Sequence, residues 1–342
     1  MAHFLSQKDF NAFLDALSRD YAVYVPVKKG EQRFYAPYSV DIKDIVVGEV
    51  RPFEPLKAFF SRAREIVAEG FKDSVPYAPA KPFAIVGVKA CDLKGFKIQD
   101  FVFQDHDYQD PFYAQARQNN LIIAADCTCA IATCFCLALG VKPHPQEAFD
   151  LNLSSVRGGF LVESGSPKGA AILSKHSALF SAADLTAISE RDAQRKRVIE
   201  EVEENLQKYE VPHQDFYKGT IEKKYEAGLW QEEAKTCVEC GACNTICPTC
   251  HCFLLYDQKD QKRISRLRIW DSCLIKDFAR VAGGANPREK LWMRLRNRFE
   301  KKFDFFPKVA NVYACTGCGR CISACPAKID IRRVLKKLVS DA

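Results

Sequence analysis

The sequence lacks the short motifs that most often bind nucleotides. It contains neither G-x-G-x-x-G, the fingerprint of dinucleotide-binding folds, nor the G-x-x-x-x-G-K-[ST] loop that holds phosphates. Its six histidines are scattered, and no hydrolase-type arrangement stands out. The absence of these motifs favours a subunit that works with partners over a self-sufficient enzyme.

The N-terminus lacks the features of a secretory signal, because residues 1–10 contain no basic start followed by an apolar stretch. They predict an amphipathic helix instead. Ser6 can cap this helix, and Phe10, Phe13, Leu14 and Leu17 fall on one face. We therefore expect a cytoplasmic protein.

Long uncharged segments are also scarce, and only residues 121–141, with Asp126 as the single charge, reach a length that could span a bilayer. This segment contains four of the cysteines and begins like a short strand. We expect a buried strand, a cysteine loop and a short helix there, and no transmembrane segment.

Cysteine is abundant, with 16 residues, and disulfides are disfavoured in a reducing cytosol, so this density indicates metal binding. The formal net charge is +7. Cysteines bind metals as thiolates, whose negative charge this count omits. The basic excess is then mostly counter-charge for metal-bound thiolates, and we expect no nucleic-acid partner.

The N-terminal part alternates short strand-like and helix-like segments, which predicts an α/β or α+β domain over residues 1–185. Strands are expected at 21–25, 83–88, 121–125 and 159–163, and a helix at 56–69. Residues 186–235 are dense in mixed charge and predict a helical linker. Residues 236–342 predict a mainly α-helical domain of helices separated by cysteine loops, including helices at 291–303 and 331–339.

The C-terminal part repeats one cysteine pattern, C-x2-C-x2-C-x3-C-P, which is typical of ferredoxins with two [4Fe–4S] clusters. Three cysteines of each run bind one cubane, and the fourth, redirected by the proline, binds the other. Cluster 1 is therefore assigned Cys237, Cys240, Cys243 and Cys325, and cluster 2 is assigned Cys315, Cys318, Cys321 and Cys247. A zinc ribbon is the alternative, but a structural zinc site takes four ligands rather than a duplicated set of eight.

Eight cysteines lie outside these runs. Cys91, Cys127, Cys129, Cys134 and Cys136 follow strand-like segments and allow a third [4Fe–4S] cluster with one thiol to spare; zinc or free thiols are the alternatives. Cys250, Cys252 and Cys273 are interpreted as packing residues near cluster 1 or as ligands of a further centre.

Several segments resemble the family that contains the beta subunit of sulfhydrogenase and the dicluster iron–sulfur subunit of anaerobic sulfite reductase. They are residues 87–92, 110–113, 134–136, 270–273, 278–288 and 315–321. The resemblance implies an electron-transfer subunit of a soluble multi-subunit oxidoreductase. In the family's pattern Cys91, Cys127, Cys134 and Cys136 form a further cysteine set, whereas Cys129 is not part of it.

This resemblance implies a relay between a flavoprotein subunit that handles NAD(P)H and a catalytic redox subunit in a hetero-oligomer. That catalytic partner would be a hydrogenase, a sulfite reductase or a heterodisulfide-reductase-type assembly. The alternative is a catalytic iron–sulfur subunit that reduces a sulfur substrate directly. Six arginines are expected on the surface, either docking an acidic partner or forming a solvated helical face: Arg263, Arg266, Arg268, Arg294, Arg296 and Arg298.

Overall fold

The computed structural model describes residues 2–70, 72–73, 81–105, 107–260 and 263–340. Its strands are β1 (His3–Ser6), β2 (Ala22–Lys29), β3 (Gln32–Pro37), β4 (Arg64–Glu69), β5 (Lys72–Asp73), β6 (Phe83–Val88), β7 (Leu121–Ala125), β8 (Leu151–Val156), β9 (Gly159–Ser164), β10 (Ser181–Ala182), β11 (Phe253–Lys259) and β12 (Ile264–Trp270).

The helices are α1 (Gln7–Asp20), α2 (Lys57–Phe60), α3 (Ala90–Phe103), α4 (Pro111–Asn119), α5 (Pro167–Lys175), α6 (Leu185–Lys208), α7 (Thr220–Lys223), α8 (Leu229–Ala234), α9 (Ala242–Thr245), α10 (Leu291–Glu300), α11 (Phe306–Ala310), α12 (Arg320–Ala324) and α13 (Ile331–Ser340).

The N-terminal region is built on an eight-stranded sheet with the order β10-β1-β9-β8-β7-β6-β2-β3. Its centre is parallel, because β2, β6, β7 and β8 pair in one direction. Every residue of β7 is buried, as expected for a strand covered on both faces. This mixed α/β architecture confirms the predicted fold class of the region.

Helix α1 forms as the sequence predicts. The Ser6 side chain accepts a hydrogen bond from the backbone N–H of Asp9, and Phe10, Phe13, Leu14 and Leu17 are buried. These residues belong to the main core of the sheet. The amphipathic spacing therefore identified both the helix and its buried face.

The helix predicted at 56–69 is wrong. Only Lys57–Phe60 is helical, and Arg64–Glu69 forms strand β4. Strand β4 pairs with β12 in a second sheet, of order β11-β12-β4-β5. The pairing with β12 determines the conformation of residues 64–69 despite their helix-like apolar spacing. Because β12 is distant in the sequence, a local pattern cannot indicate this pairing.

The C-terminal region is mainly helical, as predicted, around a second core that includes Trp230, Phe299 and Leu335. Helix α10 continues into a π-helical turn at Lys301–Phe305, and α13 closes the region. The hairpin β11–β12 was not predicted. Within the fully described charged segment 186–235, α6 runs from Leu185 to Lys208, and only the short α-helices α7 and α8 follow it.

Four of the six arginines expected on the surface are buried. Arg268, Arg294, Arg296 and Arg298 are between 1% and 7% exposed, so neither sequence interpretation holds for them. Arg268, for example, forms ion pairs with Glu65 and Asp110. In the described residues, no helix is long and apolar enough to cross a bilayer.

Candidate metal centres

The two cysteine runs fold into the same local structure. In the first run, Glu239 and Gly241 adopt left-handed backbone angles (φ 57° and 70°), and helix α9 follows. In the second run, Gly317 and Gly319 occupy the equivalent positions (φ 64° and 70°), followed by α12. The left-handed turns wrap each run around its three thiols, and α9 packs against α12.

One cavity collects the predicted ligands of cluster 1. Its walls include three cysteines of the first run and the last cysteine of the second: Cys237, Cys240, Cys243 and Cys325. The cavity encloses about 560 Å³ of empty space, part of it open to solvent. Burial raises the pKa of the Cys243 thiol to about 12 and also raises that of Cys237. Iron binding would replace these protons, because the metal ligand is the thiolate.

The predicted ligands of cluster 2 also lie together. The Cys321 thiol is close enough to Cys318 and Cys247 for both to raise its pKa, after the larger effect of burial. Burial raises the pKa of Cys315 to about 12, and Cys321 and Cys247 again contribute. Lys302 Nζ lies 3.4 Å from Cys247 Sγ and 2.9 Å from the carbonyl oxygen of Ala314, so Cys247 of the first run lies near Cys315, which follows Ala314.

A second cavity, of about 390 Å³ of empty space including open solvent, is lined by the five N-terminal cysteines: Cys91, Cys127, Cys129, Cys134 and Cys136. Cys91 follows β6, and Cys127 follows β7, its parallel neighbour. The loops after parallel strands meet at one edge of a sheet, which explains the grouping. Cys318 of the second run also lines this cavity.

The second run packs directly on the N-terminal cysteine loop. The backbone N–H of Phe135 donates to the carbonyl of Gly317 at 2.9 Å, and Arg51 Nε donates to the carbonyl of Cys318. A Cβ atom added at Gly317 would lie 2.4 Å from Cys136 Cα, and one at Gly319 would lie 2.1 Å from the Thr133 carbonyl oxygen. Glycine is therefore required at both positions for this close approach.

Four buried cations surround the cysteine sets: Lys57, Lys89, Arg298 and Lys302. Within the described ranges, none of the four forms an ion pair with a carboxylate. Lys89 Nζ donates to the Val47 and Asp126 carbonyls at 2.7 and 3.1 Å, and Lys302 Nζ lies 3.4 Å from Cys247 Sγ. A buried cation is costly without an opposite charge, and a thiolate-ligated cluster would supply that charge.

Two buried polar atoms of the second run have no protein partner. They are Thr316 Oγ1 and Arg320 Nη1, next to Cys315 and Cys321 in the chain. Hydrogen bonds to cluster sulfur atoms would satisfy such donors. The charges, cavities and unpaired donors all fit iron–sulfur clusters. No three His, Cys, Asp or Glu side chains of the described residues converge on a point that could hold a single metal ion.

The three remaining cysteines, Cys250, Cys252 and Cys273, line another cavity, of about 1360 Å³ of empty space including open solvent. Cys247 is close enough to Cys250 to raise the pKa of its thiol, and Cys273 likewise raises the pKa of the Cys252 thiol. No local sequence pattern indicates these contacts, since they depend on how the hairpin β11–β12 closes.

Sequence reasoning also missed the residues that surround the thiols. Lys89, Arg298 and Lys302 are spread over the chain and look like ordinary surface charges. Arg320, between Gly319 and Cys321, forms a buried ion pair with Asp92, next to Cys91. Its position inside the second cysteine run was the one available signal of a role near a cluster.

Two comparisons with known proteins agree with this geometry. A family model described as a 4Fe-4S dicluster domain matches residues 236–329, which implies two [4Fe–4S] clusters. Sulfhydrogenase 2 subunit beta of Pyrococcus furiosus is 30% identical over 337 residues, or 98% of this chain and 97% of that protein. The similarity therefore extends through the N-terminal sheet and its cysteine loop as well as the two ferredoxin runs.

Proposed function

Because the chain belongs to the sulfhydrogenase beta-subunit family, we propose that it relays electrons through three [4Fe–4S] clusters in a cytoplasmic multi-subunit oxidoreductase. The proposed donor and acceptor are a flavoprotein subunit that handles NAD(P)H and a catalytic redox subunit. That second partner is a hydrogenase, a sulfite reductase or a heterodisulfide-reductase-type assembly.

The proposed ligands of clusters 1 and 3 line cavities, and those of cluster 2 follow the repeated ferredoxin pattern. Cluster 1 takes Cys237, Cys240, Cys243 and Cys325; cluster 2 takes Cys315, Cys318, Cys321 and Cys247; cluster 3 takes Cys91, Cys127, Cys134 and Cys136. The observation that carries the proposal is that Cys325, the last cysteine of the second run, shares a cavity with three cysteines of the first. This exchange is the arrangement expected of a two-cluster ferredoxin domain.

The buried charges beside the N-terminal cysteines support the third cluster. Lys89 is 1% exposed, its pKa is lowered by burial, and the charges of Cys127, Asp126 and Cys91 oppose that lowering. Asp126 is itself paired with Arg195 at 2.7 Å, so its carboxylate is already compensated. A cluster bound by Cys91 and Cys127 would add the negative charge that this buried lysine lacks.

Cluster 2 would lie between the other two. Cys321 of the second run lines the cavity of cluster 1, and Cys318 of the same run lines the cavity of cluster 3. A central cluster with a ligand at each neighbouring cavity gives one continuous series of redox centres. An order of cluster 1, cluster 2 and cluster 3 is therefore the simplest path.

One end of this path reaches the surface. Cys240 is exposed, and the side chain of Val238 in the same loop is 65% exposed. Electrons pass between proteins most readily where a cluster lies near the surface, so we assign this loop to the contact with one partner.

Anaerobic capture of the tagged chain with its native partners tests the function. On addition of NADH or NADPH, freeze-quench EPR should show reduced [4Fe–4S] clusters in the complex, and no reduction in the isolated chain. If the isolated chain instead reduces a sulfur substrate at the rate of the whole complex, the direct catalytic alternative is correct and the relay is not.

A further inference from the structure

Cys252 and Cys273 lie at the base of the hairpin β11–β12. Phe253 pairs with Trp270 at the end of the hairpin, and the backbone N–H of Asp271 donates to the Cys252 carbonyl at 2.9 Å. Both thiols line the same cavity, and each is close enough to the other to shift its pKa. Neither cysteine belongs to the ligand sets proposed above.

A buried hydrogen-bond chain connects this thiol pair to cluster 1. Asn244 Nδ2 donates to Cys273 Sγ at 3.1 Å and to Ser272 Oγ at 3.0 Å. Asn244 Oδ1 accepts from Arg298 Nε at 3.0 Å, and Asn244 is only 1% exposed. Because Asn244 directly follows the proposed ligand Cys243, one side chain connects the ligand's backbone to the Cys273 sulfur.

Solvent can reach the thiols of Cys252 and Cys273. Both thiols line the cavity of about 1360 Å³, whose walls include Phe253, Phe278, Phe305 and Phe306. Cys252 is partly exposed, whereas Cys273 is buried. Protons can therefore reach the sulfur atoms from solvent, while electrons can reach them through Asn244.

We propose that Cys252 and Cys273 form a redox-active dithiol that exchanges electrons with cluster 1. The inference rests on the proposed function, because it requires that cluster. In the oxidised state one S–S bond joins Cys252 Sγ and Cys273 Sγ. Two electrons, delivered singly by cluster 1, and two protons from the cavity break this bond and leave two thiols. Oxidation returns two electrons and two protons. The chain thus gains a two-electron site beside its one-electron clusters.

Reductive titration of the anaerobic holo-protein tests the inference. Wild type should take up about five electrons per chain, one for each of three clusters and two for the disulfide. The variants Cys252→Ser and Cys273→Ser should each take up about three, with iron and sulfide unchanged.

Alkylation after a denaturing quench, followed by peptide mass spectrometry, gives an independent result. Oxidised wild type should contain a Cys252–Cys273 disulfide peptide, and reduced protein should contain both residues alkylated. Cys250, in the same cavity, is the internal control and should be alkylated in both states.

Three results would overturn the inference. Equal electron uptake by wild type and both variants would make the pair a packing contact. Loss of iron from the variants would make the two residues cluster ligands. Wild type without iron or sulfide would overturn the proposed function as well.

Discussion

Arg320 and Asp92 form an ion pair in which neither side chain is exposed to solvent, with Arg320 Nη2 2.7 Å from Asp92 Oδ2. Arg320 begins helix α12, inside the second ferredoxin run, and Asp92 follows Cys91 in the N-terminal region. Asp92 also accepts a hydrogen bond from the backbone N–H of Leu56 at 3.2 Å. One buried pair therefore joins the second ferredoxin run to the helix that carries Cys91.

Breaking this pair should be costly, because the remaining charge would be buried without a partner. We expect Arg320→Met to lower the free energy of unfolding by about 3–5 kcal/mol. The double variant Arg320→Met/Asp92→Leu should recover most of that loss. Anaerobic thermal unfolding of the holo-protein measures both.

The exposed pair Lys308–Glu222, at 3.3 Å, is the control for this prediction. The variant Glu222→Gln should cost less than about 1 kcal/mol, since surface ion pairs contribute little. Equal losses in Arg320→Met and Glu222→Gln would show that the buried pair has no special role.

The contact between the second run and the N-terminal cysteine loop gives a second prediction. Gly317→Ala would place a Cβ against Cys136, so we expect the variant to retain about 8 iron atoms per chain instead of about 12. Gly219→Ala is the matched control, because Gly219 also has a positive φ, of 75°, with no atom within 4 Å of an added Cβ. Normal iron content in both variants would mean that the contact does not support a cluster.

Lys89 should tune the potential of cluster 3. Reduction adds negative charge, which a nearby cation stabilises, so Lys89→Met should make the potential more negative by on the order of 60 mV. EPR-monitored redox titration measures this shift. Lys97→Met removes an exposed charge from helix α3, which begins directly after Lys89, and should leave the potential unchanged. A shift of the same size in both variants would argue against a specific effect of Lys89.

His144 should make stability depend on pH. Burial, and next the Arg195 guanidinium, lower the pKa of His144 from 6.5 to about 4. Because the folded-state pKa is below the unfolded value, the unfolded chain binds more protons between these pH values. Folding stability is therefore lost as pH falls through the window.

The ring is partly exposed, so we expect a loss of only about 1 kcal/mol between pH 7 and pH 5. Anaerobic denaturant unfolding should show a smaller loss for His144→Gln than for wild type. An identical pH dependence in the two proteins would exclude His144 as its source.

The sequence predicted features that depend on local spacing. The capped helix α1 and the two ferredoxin runs are set by residues a few positions apart; the structure confirms the helix, and the dicluster family model covers both runs. The exchange of Cys247 and Cys325 between the runs stays a prediction, based on the proline that follows each of them.

Features that depend on distant pairing were not predictable. Residues 64–69 were predicted to be helical because their apolar residues have helical spacing. Their partner strand, β12, lies about two hundred residues further along the chain, so no local pattern indicates the pairing. The hairpin that brings Cys252 to Cys273 has the same non-local origin as this sheet. The burial of Arg294, Arg296 and Arg298 was missed because a charge run normally indicates a solvated face.

The iron and acid-labile sulfide content of a set of cysteine variants, purified anaerobically, tests the central claim most directly. Wild type should contain about 12 iron atoms, and Cys240→Ala about 8, because one cubane is lost. Cys240→Ala/Cys325→Ala should still contain about 8, since both residues serve cluster 1, whereas Cys240→Ala/Cys318→Ala should contain about 4. If Cys240→Ala/Cys325→Ala instead loses two clusters while Cys240→Ala/Cys247→Ala loses one, each run binds its own cluster and the proposed exchange is wrong.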